Sequence, residues 1–145
     1  MEGKEIYHFW YFDDRYFINC PTKSGWIIKS ILFNKLEEED LYNLALFDYL
    51  SDEKKWSDSN RSQPKKLSML FFTISEIVLD FLNNHPEAIV SFQGNTQSKS
   101  RLYSIFISHH LDVIAGKFQV LGETENEIER FQANKKYLTI FILRK

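Results

Sequence analysis

The sequence predicts an α+β fold: a mostly antiparallel sheet with two main helices packed on it, in a single two-layer domain over residues 1–145. Three observations predict it. Runs rich in aromatic and β-branched residues crowd the first third of the chain and recur near its end. Residues 65–84 carry apolar side chains at helical spacing, on a stripe wide enough to need a sheet to cover it. The strands are grouped before and after the helices, which is the order of an α+β domain.

Residues 6–12 alternate Tyr7, Phe9 and Tyr11 with His8, Trp10 and Phe12, a strand that ends at the turn pair Asp13-Asp14. Tyr16-Phe17-Ile18 resumes an extended pattern, and Pro21-Thr22-Lys23-Ser24-Gly25 reads as a turn. Residues 26–33 make a strand in which Ile27, Ile31 and Phe33 oppose Trp26, Ile28 and Leu32. After the acidic Glu37-Glu38-Glu39-Asp40, residues 41–50 make another, and the two pair as an antiparallel hairpin. Residues 51–64 are polar, with Trp56 isolated among them, and read as an exposed loop that leads into a first helical turn at Pro64. The long helix follows and stops at Asn83-Asn84-His85-Pro86. A short strand over residues 87–93, a second helix from Gln97 to about His110, and strands over 118–121 and 137–143 complete the chain. No internal repeat or dividing linker interrupts it.

A chain of 145 residues can bury roughly 68–70% of its unfolded surface. With 43% hydrophobic residues and thirteen Phe, the core is self-sufficient. A net charge of −2 argues against gripping long nucleic acid through an overall field, so any such contact is local. Cys20 is alone, which excludes an intrachain disulfide and a cysteine-rich zinc site, and no other pattern calls for a metal or cofactor. The first residues, Met1-Glu2-Gly3-Lys4-Glu5, lack the basic and apolar regions of a signal peptide, and no uninterrupted apolar run approaches the ~20 residues of a membrane span. The expected compartment is the cytoplasm.

Chemistry concentrates where the strand at Ile89-Val90-Ser91-Phe92 gives way to the second helix. Gly94 can take a positive φ, and Asn95, Thr96 or Ser98 can cap the helix. Ser98, Lys99, Ser100 and Arg101 then surround backbone N–H groups that have no partner within the helix, which predicts an anion there. Both cations oppose the helix dipole, so an external anion or an internal acid such as Asp48 is expected beside Arg101. Ordinary capping with a solvated Lys99 is the plainer alternative. A P-loop is excluded, because no second glycine precedes Lys99 and no strand ending in a magnesium-binding Asp follows.

Tyr42-Asn43-Leu44-Ala45 before Asp48, His85-Pro86-Glu87-Ala88, Phe92-Gln93-Gly94-Asn95-Thr96 and Arg101-Leu102-Tyr103 together resemble an uncharacterised bacterial family of about this length. Its pattern has a small-residue turn and a basic residue before Arg-Leu-Tyr; here Ser98-Lys99-Ser100 fills that turn. Where the family has a glycine-containing turn at the entrance of the first helix, this chain has Asn60-Arg61-Ser62-Gln63-Pro64. The resemblance covers nearly the whole chain and implies a bacterial cytosolic protein, but no activity.

Two functions from different classes fit. The first is a non-enzymatic module that binds an anionic ligand or a partner protein, of regulatory or antitoxin-like kind, with Trp56 as partner contact. A homo-oligomer would serve the same role. The second is a small enzyme acting on nucleic acid or nucleotides, such as a toxin-type ribonuclease, with Lys99 and Arg101 on phosphate and His109 or His110 as acid or base. His109 and His110 point about 100° apart on a helix and do not readily share a metal. They also lie roughly 12–14 Å along the axis from Arg101, far for one scissile bond. The module is the favoured reading. The first-strand aromatics could stack bases, yet no basic residues interleave them, and a packed core explains them as well.

Overall fold

The computed structural model describes residues 5–36, 40–58, 64–92 and 97–145, with only the backbone of 97–100. Glu37-Glu38-Glu39, residues 60–63 and the turn residues Gly94, Asn95 and Thr96 lie outside the described residues. The described elements are β1 (Phe9–Phe12), β2 (Arg15–Thr22), β3 (Gly25–Lys35), β4 (Leu41–Leu50), β5 (Lys55–Ser57), α1 (Leu67–Asn84), β6 (Ile89–Phe92), α2 (Gln97–His109), α3 (Leu111–Lys117), β7 (Phe118–Glu123), β8 (Ile128–Arg130) and β9 (Thr139–Arg144). The fold is α+β with a mostly antiparallel sheet. Strands pair in the order β1-β2-β3-β4-β6-β9-β7-β8, with β5 on β4. The chain forms two compact units, Met1–Phe33 with Ala45–Ile77, and Asn34–Leu44 with Val78–Lys145.

In the first unit, Asp13 and Asp14 both take positive φ, 52° and 64°. A two-residue turn of that hand matches the twist of paired strands, so β1 folds straight back onto β2. β2 alternates strictly, with Tyr16, Ile18, Cys20 and Thr22 buried. Pro21 lies inside this strand, opposite Trp26 of β3, and is not part of the turn expected of it. Its carbonyl accepts the Lys65 N–H at 2.9 Å, and Thr22 bridges to Pro64. Pro64 therefore ends a bridge and does not open the helix. Instead the Tyr7 hydroxyl serves α1's first turn: it accepts the Lys66 N–H at 3.0 Å and donates to the Lys66 carbonyl at 3.1 Å. Tyr7's own N–H donates to Thr73 Oγ1 at 2.8 Å, which fastens the segment before β1 to the helix.

α1 is the most apolar element, long and apolar enough to span a membrane by length and composition alone. Burial accounts for that composition. Phe71, Ile74, Val78 and Phe81 are all buried, and Ile77 and Leu82 are wholly inaccessible.

The second unit holds β6 parallel to the start of β4, in the register Leu41↔Ile89, Tyr42↔Val90 and Asn43↔Ser91, and antiparallel to β9. β9 pairs β7 from Phe118↔Arg144 to Glu123↔Thr139. The ring of Phe92 meets Tyr103 of α2 edge-on at 5.4 Å, and Tyr42 meets Phe81 at 5.0 Å. His85 ends α1 by stacking on Phe81 at 4.3 Å, with Nδ1 3.1 Å from the Phe81 carbonyl. A third helix, α3, was not expected. Glu123, Glu125, Glu127 and Glu129 make an acidic segment that turns from β7 into β8, which pairs with β7. Its turn is held by Thr124 Oγ1, which accepts the N–H groups of Asn126 and Glu127.

Candidate interaction surface

The register of the first unit sorts its side chains onto two faces. Lys29 lies opposite Ile18, and its Nζ reaches Asp48 Oδ1 at 2.6 Å, so Ile18, Cys20, Lys29, Ile31 and Asp48 share the buried face. Burial pushes the Cys20 thiol up to about 11, against a smaller lowering by the Lys29 charge, so it is an inert thiol.

The other face carries Trp10 and Phe12 of β1, Arg15 and Phe17 of β2, Trp26, Ile28 and Ser30 of β3, Tyr49 of β4 and Trp56 of β5. Their rings form a continuous row. His8 stacks on Trp10 at 5.5 Å, Trp10 on its cross-strand neighbour Phe17 at 5.6 Å, Phe17 meets Trp56 at 6.0 Å, and Trp56 meets Tyr49 at 5.1 Å. The row stabilises itself by offset stacking and edge contacts. Trp10 within it is 37% exposed, and on the same face beside it Phe12 is 68% and Trp26 70% exposed. Arg15 is the one cation among these outer-face residues. Beneath the row Ser30 is wholly buried, and its Oγ has no hydrogen-bond partner. Large rings gathered on one face mark a contact surface more strongly than the same rings scattered singly.

The expected site residues fall as follows. Ser98, Lys99 and Ser100 lie in the first turn of α2, their side chains outside the described part. Arg101 opens the second turn, not the first, and the dipole penalty there is correspondingly smaller. Its side chain is exposed, without a hydrogen bond or ion pair among the described residues. The carboxylate expected to meet it, Asp48, is held by Lys29 in the first unit. His109 is exposed, whereas His110 is half-buried against Phe106 at 4.5 Å. Burial, and then the neighbouring His109, lower the His110 pKa, so its imidazole stays neutral at physiological pH. Trp56 is neither isolated nor in a loop: it sits on β5, half-buried between Phe17 and Tyr49. Among the described residues no group of three or more His, Cys, Asp or Glu is arranged to hold a metal.

Sequence reasoning missed the row because it weighed the first-strand aromatics only as a base-stacking surface or as packed core. The alternation of His8, Trp10 and Phe12 against Tyr7, Phe9 and Tyr11 did carry the signal that one set must face away from it.

Residues 5–145 match a family of unknown function, DUF6934, and the chain belongs to that family. No curated protein and no solved structure matches the sequence.

Proposed function

We propose that this member of the family is a single-domain, non-enzymatic cytoplasmic module that binds a partner protein through the outer aromatic face of its first unit. In this reading the helices form one layer on the other side of the sheet, and the partner relationship is of regulatory or antitoxin-like kind. The observation that carries it is the row of rings from His8 to Tyr49 on a face that also exposes Trp26 at 70%, Phe12 at 68% and Trp10 at 37%. Aromatic anchors dominate protein–protein recognition because they bury much area at little conformational cost. Nucleic acid fits the face less well, since stacking platforms for bases are set in basic surroundings and this one has Arg15 alone among the described residues. Trp56, braced by Phe17 and Tyr49, is the rigid centre and Trp26 the accessible anchor.

Wild-type protein and the variants Trp26→Ser and Trp56→Leu, each used as bait in lysate of the source cells, test this. A protein retained by wild type, lost by both variants, and bound again in titration after purification is the expected result. Identical retention by all three baits contradicts it.

A second reading places an anion at the turn before α2, and Arg101, exposed and unpaired among the described residues, favours it. Arg101→Ala then weakens inorganic phosphate binding in calorimetric titration without altering stability. Absence of phosphate binding by the wild type removes it.

A further inference from the structure

β1 closes one end of the strand order, and its outer edge has a defined hydrogen-bonding pattern. The Asn19 N–H donates to the His8 carbonyl at 3.1 Å, in the same register that pairs Trp10 with Phe17 and Phe12 with Arg15. Antiparallel pairs alternate between bonded and non-bonded, so His8, Trp10 and Phe12 direct their backbone groups to β2. Phe9 and Tyr11 direct theirs outward. The window ends there on both sides. Tyr7's N–H is taken by Thr73 Oγ1, and Asp13 leaves the strand with φ 52°.

We propose that this edge pairs with the β1 of a second copy of the chain, antiparallel about a two-fold axis through Trp10. Only this register lets both outward residues of each strand bond at once, Phe9 with the partner's Tyr11 and Tyr11 with the partner's Phe9. Every cross-strand pair it creates is aromatic: Trp10 faces the partner's Trp10, and His8 faces the partner's Phe12. Asp13 and Asp14 fall beyond the paired window, so no like charges meet in it. The row of rings from Tyr49 to His8 then runs without a break into its symmetry mate. An unrelated peptide would find only two bonding residues on this edge and no charged group to fix its direction, whereas a second copy satisfies the same window from both sides. Unprotected edges of this kind are templates for pairing unless charge or proline blocks them, and no charged residue lies in β1. This pairing takes up Trp10 and Phe12 of the face proposed above and leaves Trp26, its accessible anchor, to the partner protein.

Engineered cysteines read the register directly. Trp10→Cys places two thiols opposite each other in a non-bonded pair, with Cα atoms about 4.5 Å apart, inside disulfide reach. Cys20, the sole native cysteine, is buried and does not compete. Tyr11→Cys, displaced from the axis, serves as the control. Under mild oxidation Trp10→Cys is expected to form an intermolecular disulfide at least about tenfold faster than Tyr11→Cys. In sedimentation, wild type is expected to form a concentration-dependent dimer that Tyr11→Pro abolishes and Tyr11→Val, which loses the same contacts to Tyr16 and Asp14 but keeps the outward N–H, retains. A wild type that stays monomeric at every concentration overturns the proposal. So does cross-linking of Tyr11→Cys as fast as Trp10→Cys, or an undiminished dimer in Tyr11→Pro.

Discussion

Lys29 and Asp48 put two full charges inside a sheet, 2.6 Å apart with side chains 4% and 5% exposed. Such a pair adds little net stability over apolar residues, but losing one partner strands the other charge in a poor solvent. Asp48→Ala is therefore expected to destabilise by about 3–5 kcal/mol in urea unfolding. The double variant Lys29→Met, Asp48→Leu should recover most of that loss; a double variant as unstable as the single contradicts the account. Gly122 is a second residue fixed by its surroundings. A Cβ added there would clash with the Tyr137 ring at Cγ, Cδ1 and Cε1. Gly122→Ala is expected to cost about 1–3 kcal/mol by overpacking. In a Tyr137→Ala background the same change should cost far less, a coupling that a double-mutant cycle measures. Neither constraint was legible in the sequence. By type and spacing Lys29 is only a polar residue within a strand, because nothing in the spacing reveals that a distant carboxylate faces it.

Elements were legible where their pattern was internal to them. The strand expected over residues 41–50 is β4, Leu41–Leu50, to the residue, and α2 begins at Gln97 as its capping pattern implies. Elements set by a neighbour were missed. β5 is three residues long and exists because Lys54 takes φ 53° and turns the chain back onto β4, a conformation lysine does not advertise. Pro21 stays within β2 because β1 ends before reaching it, so its absent N–H disrupts no ladder. β8 hid in an acidic segment whose turn depends on Thr124 Oγ1. Within β8, Glu129 Oε2 accepts from Tyr137 OH at 2.7 Å, Lys135 Nζ at 2.8 Å and Gln132 Nε2 at 3.0 Å, which clamps the following turn to the strand. The Lys135 hydrogen bond, and then the Tyr137 hydroxyl, hold the Glu129 pKa below its ordinary 4.5. A carboxylate with a lowered folded pKa stabilises fully above that ordinary value and loses its contribution as pH falls through the folded one. The melting temperature of wild type should exceed that of Glu129→Gln at neutral pH, and the gap should close below pH 4.5. A gap that persists in acid would show that the clamp acts through shape alone.

For the molecule as a whole, the same alternation that builds a core also produces the exposed face. β2 alternates buried with half-buried residues, β3 is buried at its centre and exposed at its ends, and β1 is exposed from Trp10 to Phe12. On the buried side Ile18, Cys20 and Ile31 are wholly inaccessible. On the open side Phe12 and Trp26 remain largely in contact with water, where the fold gains little from a ring. The α+β class was readable from the grouping of strands and helices. The face was not, because its two ends come from β1 and β5, which only the pairing of β4 with β5 and the Phe17–Trp56 contact join. The central claim is that these rings are kept for contact and not for folding. Its most direct test compares the melting temperature of Trp26→Ser with its dissociation constant for the protein that wild type retains. The account predicts an unchanged melting temperature and binding weakened at least about tenfold, as for an aromatic anchor. An unchanged dissociation constant, or a fall in melting temperature with binding intact, would contradict it.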